Sequence, residues 1–140
     1  MKADVLFPDA AAEACRILRT GLAARPEPYA AGATVGTRVP DARTPEDPRL
    51  PLVLVAVDGT TTHPSRLAAD VLLRVSVWHT DADRAHDLAQ LAAALLHRAA
   101  GPVIRSTRPG TGPVPGLDPD SRVPLATLTV TARIAPTPLT

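Results

Sequence analysis

Hydrophobic positions near the N-terminus recur every three or four residues, at Ala11, Ala14, Cys15, Leu18 and Leu22. That spacing lines one face of a helix. It predicts a helix over residues 8–25, with Pro8 at the first helical position, where a missing N–H costs nothing. Asp9 and Glu13 then lie near the positive end of the dipole, and Arg19 and Arg25 near the negative end. Pro26 and Pro28 stop the helix. A short strand follows over 34–39, closed by Pro40 and the polar, Pro-rich loop DARTPEDPR at 41–49. The run LPLVLVAV at 50–57 is too short for a self-burying helix. It is rich in β-branched residues and reads as a strand covered on both faces. Asp58-Gly59 is a turn dipeptide, and 59–66 reads as an extended hairpin tip.

The clearest strand spans 69–79, where Val71, Leu73, Val75 and Val77 alternate with Leu72, Arg74, Ser76 and Trp78 at a period of two. The period then changes. Thr80 is placed to cap a helix, with Asp83 three residues on in the position of a capping box. Leu88, Leu91, Ala92, Leu95 and Ala99 mark its apolar face; Asp83, Arg84, Asp87, Gln90 and Arg98 mark the other. Gly101-Pro102 ends it. A short strand at 103–107 leads to RPGTGPVPGLDPDS, a loop over 108–121 unusually long for a compact domain. In the last strand, 123–134, Leu128, Val130, Ala132 and Ile134 face one way. Thr127, Thr129, Thr131 and Arg133 face the other. The tail 135–140 is expected to fray. The predicted order α-β-β-β-α-β-β gives one α+β domain over 1–140. Two helices cover one face of a four- to five-stranded mixed or antiparallel sheet.

Composition narrows the function classes. A hydrophobic share of 45% is that of a globular domain. A net charge of +1 gives no global attraction to nucleic acid. Three aromatics, Phe7, Tyr29 and Trp78, leave little for base stacking. Cys15 is the only cysteine; it excludes an intrachain disulfide or a multi-Cys metal site, and its pattern places it in the core. No apolar run approaches the ~18 residues of a membrane span. The first ten residues lack the apolar core of a signal peptide, so a soluble chain made in the cytoplasm is expected.

No catalytic constellation emerges. His63, His79, His86 and His97 form no metal-ligand spacing. Ser65, Ser76, Ser106 and Ser121 lie in no nucleophile elbow. Asp81, Asp83 and Asp87 read as first-turn helix acids rather than a cation site. The Gly-containing segments 30–36 and 108–116 lack the Lys-Ser/Thr of a phosphate loop. The scattered arginines read chiefly as solubility and local pairing; a local positive rim of Arg105, Arg108 and Arg122 around the long loop is the alternative. No catalytic, cofactor-binding or metal site is expected; a non-enzymatic assembly protein fits best. The competing classes are a small hydrolase using His79 or His86 with Asp81 or Asp83, and a ligand-binding domain.

One layout is distinctive. A helix opened by Pro8-Asp9 leads to TRVP (37–40), the apolar LPLVLVAVDG (50–59), and the strand-Trp-helix unit VSVWHTDADRAHDLAQL (75–91). GLDPDSR (116–122) then precedes ATLTVTARI (126–134). This layout, over nearly the whole chain, resembles the tail terminator proteins of long-tailed bacteriophages of actinobacterial type, also called tail completion or head–tail joining proteins.

The resemblance implies a structural virion protein, assembled in the host cytoplasm and located at the neck. It implies a homo-oligomeric ring, usually a hexamer, that caps the head-proximal end of the tail tube and stops its growth. The ring joins the tube to a connector protein and lets genomic DNA pass without specific binding. Contacts to tube and neck then fall to the loops 40–49, 59–66 and 108–122. Their charged residues Arg43, Arg49, His63, Arg66, Arg108, Asp118, Asp120 and Arg122 are the candidate interface residues. Thr127, Thr129, Thr131 and Arg133 line either a lumen or an interface. A head-closure or adaptor protein of the same neck is the nearest alternative.

Overall fold

The computed structural model describes residues 5–44 and 46–139. Residues 1–4 of the N-terminal segment, Pro45 of the predicted loop 40–49 and Thr140 of the predicted tail lie outside the described residues. In chain order the elements are β1 (Val5–Leu6), α1 (Ala10–Ala23), β2 (Thr34–Gly36), β3 (Leu52–Thr62) and β4 (Ala69–Trp78). They continue with α2 (Ala82–Arg98), β5 (Ile104–Pro109), β6 (Val114–Leu117), β7 (Pro124–Ile134) and β8 (Thr137–Pro138). The six strands β2 to β7 form one sheet in the order β2-β3-β4-β7-β5, with β6 also paired to β7. Only β2 and β3 run parallel.

The expected α+β architecture is present, and the sheet is larger than four or five strands. Alternation decides which face the helices cover. Val71, Leu73, Val75 and Val77 of β4 and Leu128, Val130, Ala132 and Ile134 of β7 share one core with both helices, together with Val53 and Val55; α2 lies over β4 and β7, and α1 over β2 and β3. The helices contribute Ala14, Cys15, Leu18 and Leu22 from α1 and Ala85, Leu88, Ala92, Leu95 and Leu96 from α2. Each buried Leu or Val stabilises by about 1.5–3 kcal/mol relative to exposure. Cys15 belongs to this core, and burial raises its thiol pKa.

Several boundaries differ from the sequence reading, each for a local reason. Pro8 lies outside α1, because Asp9 takes the cap and accepts the Ala12 N–H at 3.0 Å. Arg19 and Arg25 do not fall in the last turn; Arg19 instead reaches the Val35 carbonyl of β2. Asp81, not Thr80, caps α2, accepting the Arg84 N–H at 2.8 Å. Leu91 is only partly buried, while Ala85, Ala89 and Leu96 complete the covered stripe. β2 ends at Gly36, short of residue 39.

Asp58-Gly59 makes no turn. The β3–β4 register shifts between Val57 and Gly59, so Asp58 is a bulge and β3 runs on to Thr62. The hairpin turn is 63–68, closed by the His63 N–H on the Ala68 carbonyl. The covering of β3 on both faces holds at Leu52 and Val53 and fails beyond, where Val57 is 46% exposed. The predicted loop 108–122 is partly strand. β5 reaches Pro109 and β6 pairs with β7 over Val114–Leu117, leaving a turn at 118–123. The tail is not frayed over its described residues: β8 pairs with β1.

Candidate interaction surface

The face of the sheet opposite the helices carries the even-numbered residues of β4 and the odd-numbered residues of β7. Strand pairing sets Asp70 beside Arg133, Leu72 beside Thr131, Arg74 beside Thr129 and Ser76 beside Thr127. Thr127, Thr129, Thr131 and Arg133 therefore form one stripe on this face, as the alternation predicts, and all four are partly exposed. Each end of the stripe is organised by one aspartate.

Asp70 gathers three of the candidate residues. Arg133 grips it with two hydrogen bonds, Nε at 3.0 Å and Nη2 at 3.2 Å. Arg108 on β5 and His63 in the hairpin turn each lie 3.7 Å from the same carboxylate. His63 Nε2 is also 3.1 Å from Arg133 Nη2. The Arg133 hydrogen bonds first, then the Arg133, Arg108 and His63 charges, outweigh partial burial and hold the Asp70 carboxyl below its ordinary value. Next to this cluster, Gly59, Thr60, Thr61, Leu72 and Thr131 line an open depression of ≈ 460 Å³ with Asp70 and Arg108.

Asp118 holds the other end of the face. It is 8% exposed and accepts the Trp78 indole N–H at 2.8 Å and the Asp120 main-chain N–H at 2.9 Å. The Ser121 N–H lies at 3.4 Å and Arg43 Nη2 at 3.7 Å. Arg43 also donates to the Pro48 carbonyl and stacks over the Trp78 ring, 5.8 Å from its centroid. Burial pushes the Asp118 carboxyl up, but these hydrogen bonds and the Arg43 charge hold it below the ordinary value. The segments 40–49 and 118–122 are thus tied together across the end of the sheet, and Leu52 beneath them is fully buried.

The remaining candidates stand apart. Arg49 pairs with Asp47 at 3.2 Å on the surface. Arg66 sits in the hairpin turn at positive φ, and Arg122 at positive φ in the 118–123 turn. Asp120 contributes its main-chain N–H to Asp118. The alternative positive rim of Arg105, Arg108 and Arg122 is not assembled. Arg105 lies beside the Ile134 end of β7, whereas Arg122 precedes its Pro124 end. The strand between them spans roughly 30 Å.

The histidines of the enzyme alternative meet other partners. Thr80 N–H points at His79 Nδ1 at 2.8 Å, and His79 Nε2 meets the Tyr29 carbonyl at 2.9 Å. These partners assign Nδ1 as acceptor and Nε2 as donor. Asp81 is used as a cap, and His86 meets Gln90. Among the described residues no three His, Cys, Asp or Glu side chains are grouped to hold a metal. No described helix is long and apolar enough to cross a membrane.

The sequence reading missed Asp70 and Trp78 as the groups that organise the face. Both occupy the outward parity of the alternating strand β4, and that is the signal that locates them. No protein-family model matches the chain, and no curated protein matches it.

Proposed function

We propose that the chain is a ring subunit of a phage neck. In this reading it caps the head-proximal end of the tail tube, stops tube growth and joins the tube to the connector, without catalysis. The sequence layout supplies the family likeness. The structural observation that carries the reading is the uncovered sheet face. A six-stranded sheet with helices on one side leaves the other side neither apolar enough for a core nor concave enough for a deep pocket. Its arginines are paired within the chain: Arg133 and Arg108 share Asp70, and Arg74 meets Asp58 at 3.4 Å. A face of threonines whose three arginines are offset by two carboxylates suits a surface that DNA must slide past, because unpaired cations in number bind phosphates strongly. Arg43 and Asp118, tied to one another, stiffen the two segments that reach beyond one end of the sheet. A preordered loop loses less entropy when a neighbour docks on it.

The test is a capping experiment. Tail tube protein from the same virus is polymerised with and without the purified chain and viewed by electron microscopy. Short tubes bearing a ring at one end are expected. Tubes of unchanged length with bare ends would overturn the reading, and binding to the connector alone would favour a head-closure or adaptor role.

A further inference from the structure

The two outer edges of the sheet are closed at one level and open at another. On the β3 side, β2 pairs only with Leu52, Val53 and Leu54. From Val55 to Thr62 no strand lies on the outer side of β3 among the described residues. This stretch, VAVDGTTT, contains no Pro, Lys or Arg; its one edge-blunting feature is the charged bulge at Asp58. Five of its eight residues are β-branched, which favours strand pairing. On the far side of the sheet, Pro109 and Pro115 lack the N–H that an added strand would need. That leaves 104–108 of β5 as the usable part of the edge.

The strand registers place these two open stretches side by side in height. Thr61 pairs with Asp70, Asp70 with Arg133, and Arg133 with Ser106. Thr62, Ala69, Ile134 and Ile104 form the next row, and Gly59, Leu72, Thr131 and Arg108 another. The closed stretches match as well: Leu52, Trp78, Leu125 and Gly116 share a row, with β2 outside one end and Pro115 beside the other. Because β3, β4, β7 and β5 alternate in direction, β5 runs antiparallel to β3. The charges are complementary too. Asp58 is the only charge on the open β3 stretch, and Arg105 and Arg108 are the only charges on β5. Arg105 sits at a bulge and has no ion pair among the described residues.

We propose that copies of this chain join head to tail by sheet pairing, with residues 58–62 of β3 in one copy antiparallel to 104–108 of β5 in the next. The inference rests on the ring reading and names the surfaces that close it. Such a heterologous contact repeats from copy to copy and closes into a ring when the rotation between copies divides a full turn. It buries both open edges and sets Asp58 near Arg108 of the neighbour, two groups that also pair with Arg74 and Asp70 of their own chains.

Cysteine cross-linking tests the pairing directly. Thr61 and Ser106 are exposed and share a row. Within one chain they lie three strand spacings apart, about 14 Å, whereas a disulfide spans Cα atoms at most about 7 Å apart. Any disulfide in a Thr61→Cys/Ser106→Cys chain therefore joins two copies. The native Cys15 is buried and does not compete. Mild oxidation is expected to give a reducible ladder of covalent dimers, trimers and larger species. The product should exceed that of either single variant on the order of tenfold, because the paired thiols share a high effective concentration. Thr61→Cys with Gly116→Cys, which lies on a different row, is the mismatched control and should give no ladder.

Efficient dimerisation of Thr61→Cys alone would overturn the proposal, since β3 would then pair with itself. Absence of a ladder in the double variant, while the wild type still forms rings by native mass spectrometry, would overturn the edge pairing and leave the ring intact. A wild type that stays monomeric would overturn both.

Discussion

The two aspartates on the uncovered face do opposite jobs with the same carboxylate. Asp118 is buried and held by directional donors: an indole N–H, two main-chain N–H groups and one arginine. Asp70 is one-fifth exposed and is surrounded by three potential cations and no main-chain donor. The first arrangement fixes loop geometry, because each donor has a set direction and no water replaces it when the acceptor goes. The second neutralises charge on a solvated surface, where ion pairs are screened and individually weak. The contrast separates the part of the face that is rigid scaffold from the part available for contact.

The largest expected effect follows from emptying the rigid site. Asp118→Ala leaves the Trp78 indole, two amides and the Arg43 guanidinium without their acceptor. A loss of about 3 kcal/mol is expected, read as a fall in Tm of roughly 10 °C with faster proteolysis within 40–49. Trp78→Phe removes one donor and keeps the ring, and should cost about 1–2 kcal/mol in urea unfolding. Asp70→Asn should cost under about 1 kcal/mol. Equal losses at the two aspartates would erase the comparison.

Acid sharpens it further. Both carboxyls lie below the ordinary value of 3.8. As pH falls, the unfolded chain therefore takes up protons before the folded one. Their stabilisation is complete above that value and is lost as pH drops through the lower folded values. Unfolding midpoints should decline steeply below about pH 4 in wild type and more gently in Asp118→Asn and Asp70→Asn. Parallel declines in all three would contradict the assignment.

Much of this architecture is legible in the sequence because alternation and helical spacing act locally. β4 and β7 show both faces in their side chains, and the buried set of β7 is the set its alternation names. The failures share a cause. β6 was hidden because VPGL contains Pro and Gly, which read as loop, and an edge strand tolerates both. Gly112 makes that strand possible: at φ 90°, a Cβ there would lie 2.5 Å from the Thr127 carbonyl. At Gly110 it would lie 2.7 Å from the Thr129 carbonyl. The physical use of these glycines is close approach to β7. Asp58-Gly59 reads as a turn in the sequence and forms a bulge in the structure, since Asp-Gly favours both. The Asp118 and Asp70 clusters depend on partners 40 and 63 residues away, and no local pattern encodes such pairings. Asp70 itself was visible as an outward position of β4, and its partners were not.

The claim that the chain works as a closed ring is tested most directly by native mass spectrometry of the purified protein at moderate salt. A dominant species of six copies, about 88 kDa from a 14.6 kDa chain, is the expected result, with few intermediates because a heterologous contact is satisfied only on closure. A mass of 14.6 kDa at every concentration, or a two-fold dimer that grows no further, would contradict it.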